Sequence, residues 1–203
     1  MLIAIGSKLL FFLLYYIATL YYLGGSLTNK DAIGFSWLNN YWCNLLNDTA
    51  INGQANTAKP IAMLAMVILN ISLVSFWWQF PKHPKLSKNY QNIIRYCGTI
   101  AIALGSFLST NFNHDLLTNL ASVFGIIATI GVFIGLHING WKGLLYFGYF
   151  NILLVLVNNL MYYNNGLIMY LPITQKITFI SFLLWIACIE MNMYKRSIHV
   201  HGK

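Results

Sequence analysis

The chain has 203 residues, of which 58% are apolar and only 8% charged, against roughly 25% charged in a soluble domain. So few charges could not keep a soluble globule of this size in solution, and the apolar content is what six membrane spans of ~20 residues require. The net charge of +8 does not mark a nucleic-acid binder, because the twelve Lys and Arg residues lie between or beside apolar runs, with no basic helix or aromatic–basic interleaving.

The first apolar run, about Leu2–Leu23, has Lys8 as its only charge and no small-residue cleavage site after it, so it reads as a retained span. The second, about Ile61–Phe80, is opened by Pro60 and closed by Pro81. The third and fourth run about Ile94–Asn111 and Leu116–Leu136. The fifth covers about Leu144–Tyr163, and the sixth, about Ile173–Met193, follows Pro172. These define one all-α integral membrane domain over residues 1–203.

Basic residues orient the spans. Lys8, Lys82, Lys85, Lys88, Arg95, Lys142, Lys195, Arg196 and Lys203 fall on one side, and only Lys30, Lys59 and Lys176 on the other. Six spans with both ends basic give an N-in, C-in multi-pass protein of the cell membrane, expected to be a bacterial inner membrane. Ala101, Gly105 and Ser109 on the third span, with Gly131 and Gly135 on the fourth, suit close helix packing in an antiparallel hairpin. Cys43, Cys97 and Cys188 imply no disulfide framework.

On the cytoplasmic side, His83 falls in a solvated loop and Glu190 is expected to pair with Lys195 or Arg196. His199 and His201 sit in a polar tail and lack the further ligands a metal needs. No metal or cofactor is expected.

The outer side carries the candidate site. The first connection, from Gly24 to Lys59, holds Leu38, Tyr41, Trp42 and Leu45 at i, i+3, i+4, i+7, with Asn40, Asn44 and Asn47 on another face. That spacing predicts an amphipathic helix over residues 35–48, lying at the interface as an anchor or as a lid over a pocket. Where the third connection enters the fourth span, Asp115, Asn119 and Ser122 share one face of the fourth helix, and Gln175 and Lys176 open the sixth span. Asn158, Asn159, Tyr162 and Tyr163 add polar groups from the fifth. An Asp115–Lys176 pair would satisfy both charges; its structural reading is a helix capped by Asn113, with Asp115 favoured by the helix dipole. The ligand-binding set expected from this pattern is Asn40, Asn44, Asp48, His114, Asp115, Asn119, Gln175 and Lys176.

Catalysis has weaker support. Neither G-x-S-x-G nor H-E-x-x-H occurs, and adjacent helical residues such as His114 and Asp115 point apart. A hydrolase would have to be assembled from His114, Asp115, Asp48 and Ser109 or Ser122. The segments Gly34-Phe35-Ser36-Trp37-Leu38-Asn39-Asn40-Tyr41, His114-Asp115 and Leu171-Pro172-Ile173-Thr174-Gln175-Lys176 resemble the DUF998 and Frag1/DRAM/Sfk1 group of membrane proteins, from whose pattern the loop departs at Asn44 and Asp48. The resemblance implies a six-helix bundle and a role around membrane lipids.

The composite expectation is a binder of a lipid headgroup or small polar ligand in an outward-facing pocket, with a membrane lipid as partner and no nucleic acid. The alternatives are a membrane-embedded enzyme acting on a lipid, with His114 and Asp115 as its catalytic candidates, and a small-solute transporter. The last is disfavoured because no span is broken at mid-depth.

Overall fold

Long stretches of Leu, Ile, Ala, Met and Phe without interior proline favour helix, and the six apolar runs fold that way. The computed structural model describes residues 2–83, 86–107 and 114–201; of these, the side chains of 114, 115 and 199–201 are outside the description. Helices α1 (Leu2–Leu20), α2 (Lys59–Gln79), α3 (Lys88–Ser106), α4 (His114–Ile138), α5 (Lys142–Tyr162) and α6 (Leu171–His201) account for the secondary structure. Short 3₁₀ turns occur at Trp42–Leu46, Phe80–Lys82 and Ile168–Tyr170, and no strand forms among the described residues. Among the described residues five stretches are long and apolar enough to cross a membrane: Leu2–Leu20, Lys59–Lys82, Leu116–Ile138, Lys142–Tyr162 and Ile168–Ile198. Their outward faces suit lipid. On α5, Leu153, Leu156 and Leu160 are all more than half exposed, an apolar stripe that water would not tolerate over such length.

α3 differs from its expected bounds. It begins at Lys88, six residues before Ile94, and its first turns carry Asn89, Gln91, Asn92 and Arg95. Two further corrections concern chain ends and loops. α6 runs to His201, so the segment expected as a polar tail after Met193 is helical as far as that residue; no helix breaker occurs before Gly202. The amphipathic helix expected over 35–48 is absent, and only the five-residue turn Trp42–Leu46 has helical character.

The chain divides into two units. The first is built from Met1–Lys8, Ile68–Gly148 and Trp185–Lys203. Within it α3 and α4 pack antiparallel at very short range, because glycines leave room for large side chains. A Cβ on Gly131 would lie 2.3 Å from Ile94 of α3, and, at the contact of α3 with α2, one on Gly98 would lie 2.3 Å from Trp77. Gly125 faces Ala101, while a Cβ on Gly105 would meet nothing within 4 Å among the described residues. The small-residue reading therefore applies to Ala101 and Gly131, with Gly98 as the position it missed. On the other side of α4, Gly148 of α5 leaves room for Phe133 and Trp185, and the Trp185 indole donates to the Leu144 carbonyl at 2.7 Å.

This unit also buries an ion pair. The Lys8 ammonium donates to both carboxylate oxygens of Glu190, at 3.0 and 2.9 Å, and to Ser72 Oγ at 2.9 Å. All three residues are buried. Glu190 thus pairs with Lys8, not with Lys195 or Arg196 as the sequence suggested.

The second unit comprises Leu9–Val67 and Tyr149–Leu184. Its core is aromatic. Trp42 packs against Phe11, Phe12, Tyr15 and Phe179, with ring centroids 5.4 to 6.3 Å apart, and is 8% exposed. Trp42 is therefore a core residue and not an interfacial anchor.

Candidate functional site

The polar groups of the second unit gather around the connection between α1 and α2, which is long but not loose. Gly24 and Gly25 adopt φ of +143° and +80°, and a Cβ on either would come within 2.4 Å of backbone atoms across the loop; only glycine fits there. Asn40, fully buried, donates through Nδ2 to the Gly25 carbonyl and accepts from the Ser36 N–H, both at 2.8 Å. Asn44 Oδ1 accepts from the Tyr41 N–H at 2.7 Å. Asn56 Nδ2 donates to the carbonyls of Asn44, Leu45 and Asn47. Side-chain amides thus replace the backbone hydrogen bonds that a helix would have supplied. Burial pushes the Tyr22 and Tyr41 hydroxyls above the usual phenol range, so both remain protonated; Tyr22 Oη accepts from the Ile51 N–H.

This loop is fastened to the start of α6 by Lys176. Its ammonium, on a residue only 5% exposed, donates to the carbonyls of Asn40 and Pro172 and lies 5.8 Å from the Phe35 ring centroid. Among the described residues no carboxylate pairs with it: the ion pairs are Lys8–Glu190 and Lys59–Asp48. Gln175, the residue before it, has a buried Oε1 without a donor. On α5, Asn158 Nδ2 donates to Thr178 Oγ1 at 2.7 Å and Thr178 donates in turn to the Thr174 carbonyl. That chain fixes the amide orientation and leaves Asn158 Oδ1 buried without a donor.

The expected ligand set is therefore divided. Asn40 and Lys176 come together directly, with Asn44 in the same hydrogen-bonded loop. Asn40 and Asn44 spend their amides on the loop itself, and Asp48 is exposed and paired with Lys59. Asn119 is exposed on α4, in the other unit. The side chains of His114 and Asp115 lie outside the described residues, as do Ser109, Asn113 and the His199 and His201 side chains; the expected Asp115–Lys176 pair falls there too. Among the residues searched no group of three His, Cys, Asp or Glu side chains could hold a metal ion.

Sequence reasoning overlooked Asn56 and Ser72. Nothing distinguishes Asn56 in a loop full of asparagines. Ser72 could have been suspected only once Lys8 and Glu190 were paired. Comparison with protein-family models, with curated proteins and with solved structures gave no match.

Proposed function

We propose that the chain is a six-span, N-in, C-in integral membrane protein whose second unit binds the headgroup of a membrane lipid, or a small polar ligand, through an anionic group on that ligand. The observation that carries this reading is Lys176, a buried cation whose hydrogen-bond partners among the described residues are neutral carbonyls. Such a charge in an apolar setting calls for an anion, because an uncompensated ammonium there is costly. Gln175 Oε1 and Asn158 Oδ1 add two acceptors that lack donors, which suits a ligand carrying ammonium or hydroxyl protons beside its anionic oxygen. The rigid, side-chain-stapled loop supports the same reading, since a preorganised wall costs less ordering on binding. The crossing beyond the five apolar stretches is α3, the third span, which packs antiparallel along the apolar α4.

The test is thermal unfolding of the full chain in detergent with dioctanoyl phosphatidylethanolamine or dioctanoyl phosphatidylcholine added. Both carry phosphate, but choline offers no N–H. Phosphatidylethanolamine should raise Tm by about 5 °C or more near saturation, beyond the effect of phosphatidylcholine. Gln175→Leu should abolish that difference without lowering the ligand-free Tm. Equal shifts by the two lipids, or a phosphatidylethanolamine preference surviving in Gln175→Leu, would remove the reading.

A further inference from the structure

α4 and α5 are joined by the shortest helix-to-helix connection among the described residues, and the turn leaves a hollow. Gly140, at φ +69°, donates to the His137 carbonyl, and Trp141 N–H reaches back to Leu136. Together they close the end of α4 in the left-handed manner that favours glycine. The helical bond from Leu145 N–H to Trp141 O then opens α5 at once. The N–H groups of Lys142, Gly143 and Leu144 are thus first-turn donors with no acceptor inside their own helix, and no acidic side chain occupies that turn.

The hollow at this point is shallow and wide open, with a volume of about 520 Å³, and is lined by Trp141, Lys142, Gly143, Asn192 and Arg196, among others. No carboxylate lines it. Two cations do, and the Arg196 guanidinium sits 4.8 Å from the Trp141 ring centroid, which holds its planar fork in place. Trp141 is itself 6% exposed, yet its indole N–H has no acceptor. A buried indole N–H normally finds one. A 21-residue helix supplies the positive end of its dipole at the same spot. The wall is fixed, because the Trp185 indole of α6 donates to the Leu144 carbonyl.

We propose that this hollow is a binding site for a phosphate group, held by Lys142, Arg196 and the first turn of α5, with the Trp141 indole N–H as a further donor. Every polar feature assembled here donates or is positive, apart from the Asn192 amide, which can serve either way. Phosphate matches that set: it accepts from guanidinium in bidentate fashion, from ammonium and from helix N-terminal amides. Neutral ligands would leave two cations unused.

The phosphate can belong to a phospholipid or to a soluble molecule, and calorimetry on the delipidated full chain in neutral detergent separates the two. The probes are dioctanoyl phosphatidylglycerol and inorganic pyrophosphate. Binding of the lipid alone assigns the site to a lipid phosphate, and binding of pyrophosphate assigns it to a soluble phosphate; either result supports the proposal. The Lys142→Gln/Arg196→Gln double variant should weaken binding at least tenfold. Replacing Trp141 by β-(3-benzothienyl)alanine keeps the bicyclic ring and removes the N–H, and should weaken it several-fold at unchanged Tm. Lys82→Gln/Lys195→Gln removes the same charge elsewhere and should leave binding intact. The proposal is overturned if neither probe binds, if both site variants bind like the parent, or if the control variant loses as much as the site variant.

Discussion

Lys8 and Glu190 are 182 positions apart and are the only charged residues in the middle of their helices. Their side chains are 4% and 2% exposed, so each would be strongly destabilising alone. Removing one partner of a buried pair typically costs about 3–5 kcal/mol, while replacing both by apolar groups is often neutral. Lys8→Met and Glu190→Leu should therefore each lower Tm in detergent sharply, and the double variant should recover most of the loss. Additive losses would show that the two charges are not coupled. Both charges are legible in the sequence as isolated exceptions, but the partner is not. Pairing Glu190 with Lys195 or Arg196 supposes that the chain leaves its helix at Met193. Because α6 continues, those residues stand five and six positions on, pointing away from Glu190 around the helix. At Lys176 the opposite holds: its burial at the start of α6 was legible, whereas its acceptors in the loop, such as the Asn40 carbonyl, depend on how that loop folds.

At the scale of elements, the glycines of α3 and α4 give an internal comparison. Gly98 and Gly131 would each set a Cβ 2.3 Å from a neighbouring side chain, whereas Gly105 has nothing within 4 Å. Alanine at Gly98 or Gly131 gains helix propensity, yet it must push aside Trp77 or Ile94, and overpacking of this kind costs about 1–3 kcal/mol. Gly105→Ala has only the gain, up to about 1 kcal/mol. Unfolding in detergent should rank the variants accordingly, with Gly105→Ala at or above the parent and the other two below it. Equal behaviour of all three would mean that α3 approaches neither α2 at Gly98 nor α4 at Gly131 as closely as described. Apolar periodicity and proline placement located all six helices to within a few residues, apart from the two ends of α3, where Lys88–Ser106 replaces the expected Ile94–Asn111, and the end of α6. Periodicity misled in the first connection, where Leu38, Tyr41, Trp42 and Leu45 have helical spacing but no helix of that length. Asn40, Asn44 and Asn56 explain why. Their amides bond to backbone groups that a helix would need for itself, and the chain takes the side-chain option.

At the scale of the whole molecule, the open question is whether α3 crosses the membrane, since it is the helix outside the five apolar stretches. The positive-inside bias distinguishes the two topologies. With α3 crossing, nine basic residues fall on one side and three on the other. Without it, Lys142, Lys195, Arg196 and Lys203 move to the side of Lys30 and Lys59, Lys176 moves to the opposite side, and the division becomes six to six. That loss of all asymmetry argues for a crossing α3, as does its antiparallel packing on α4 through Ile94 against Gly131 and Ala101 against Gly125. Six crossings put both chain ends on the cytoplasmic side; five would separate them. Single cysteines introduced at the exposed Ser87, just before α3, and at Ser197, in a background where Cys43, Cys97 and Cys188 are replaced by serine, should both resist an impermeant maleimide in intact cells and both react after the membrane is opened. The exposed Cys43, restored alone, should react in intact cells. Reaction at Ser197→Cys but not at Ser87→Cys in intact cells would leave α3 on one side of the membrane, and the six-span topology would fail.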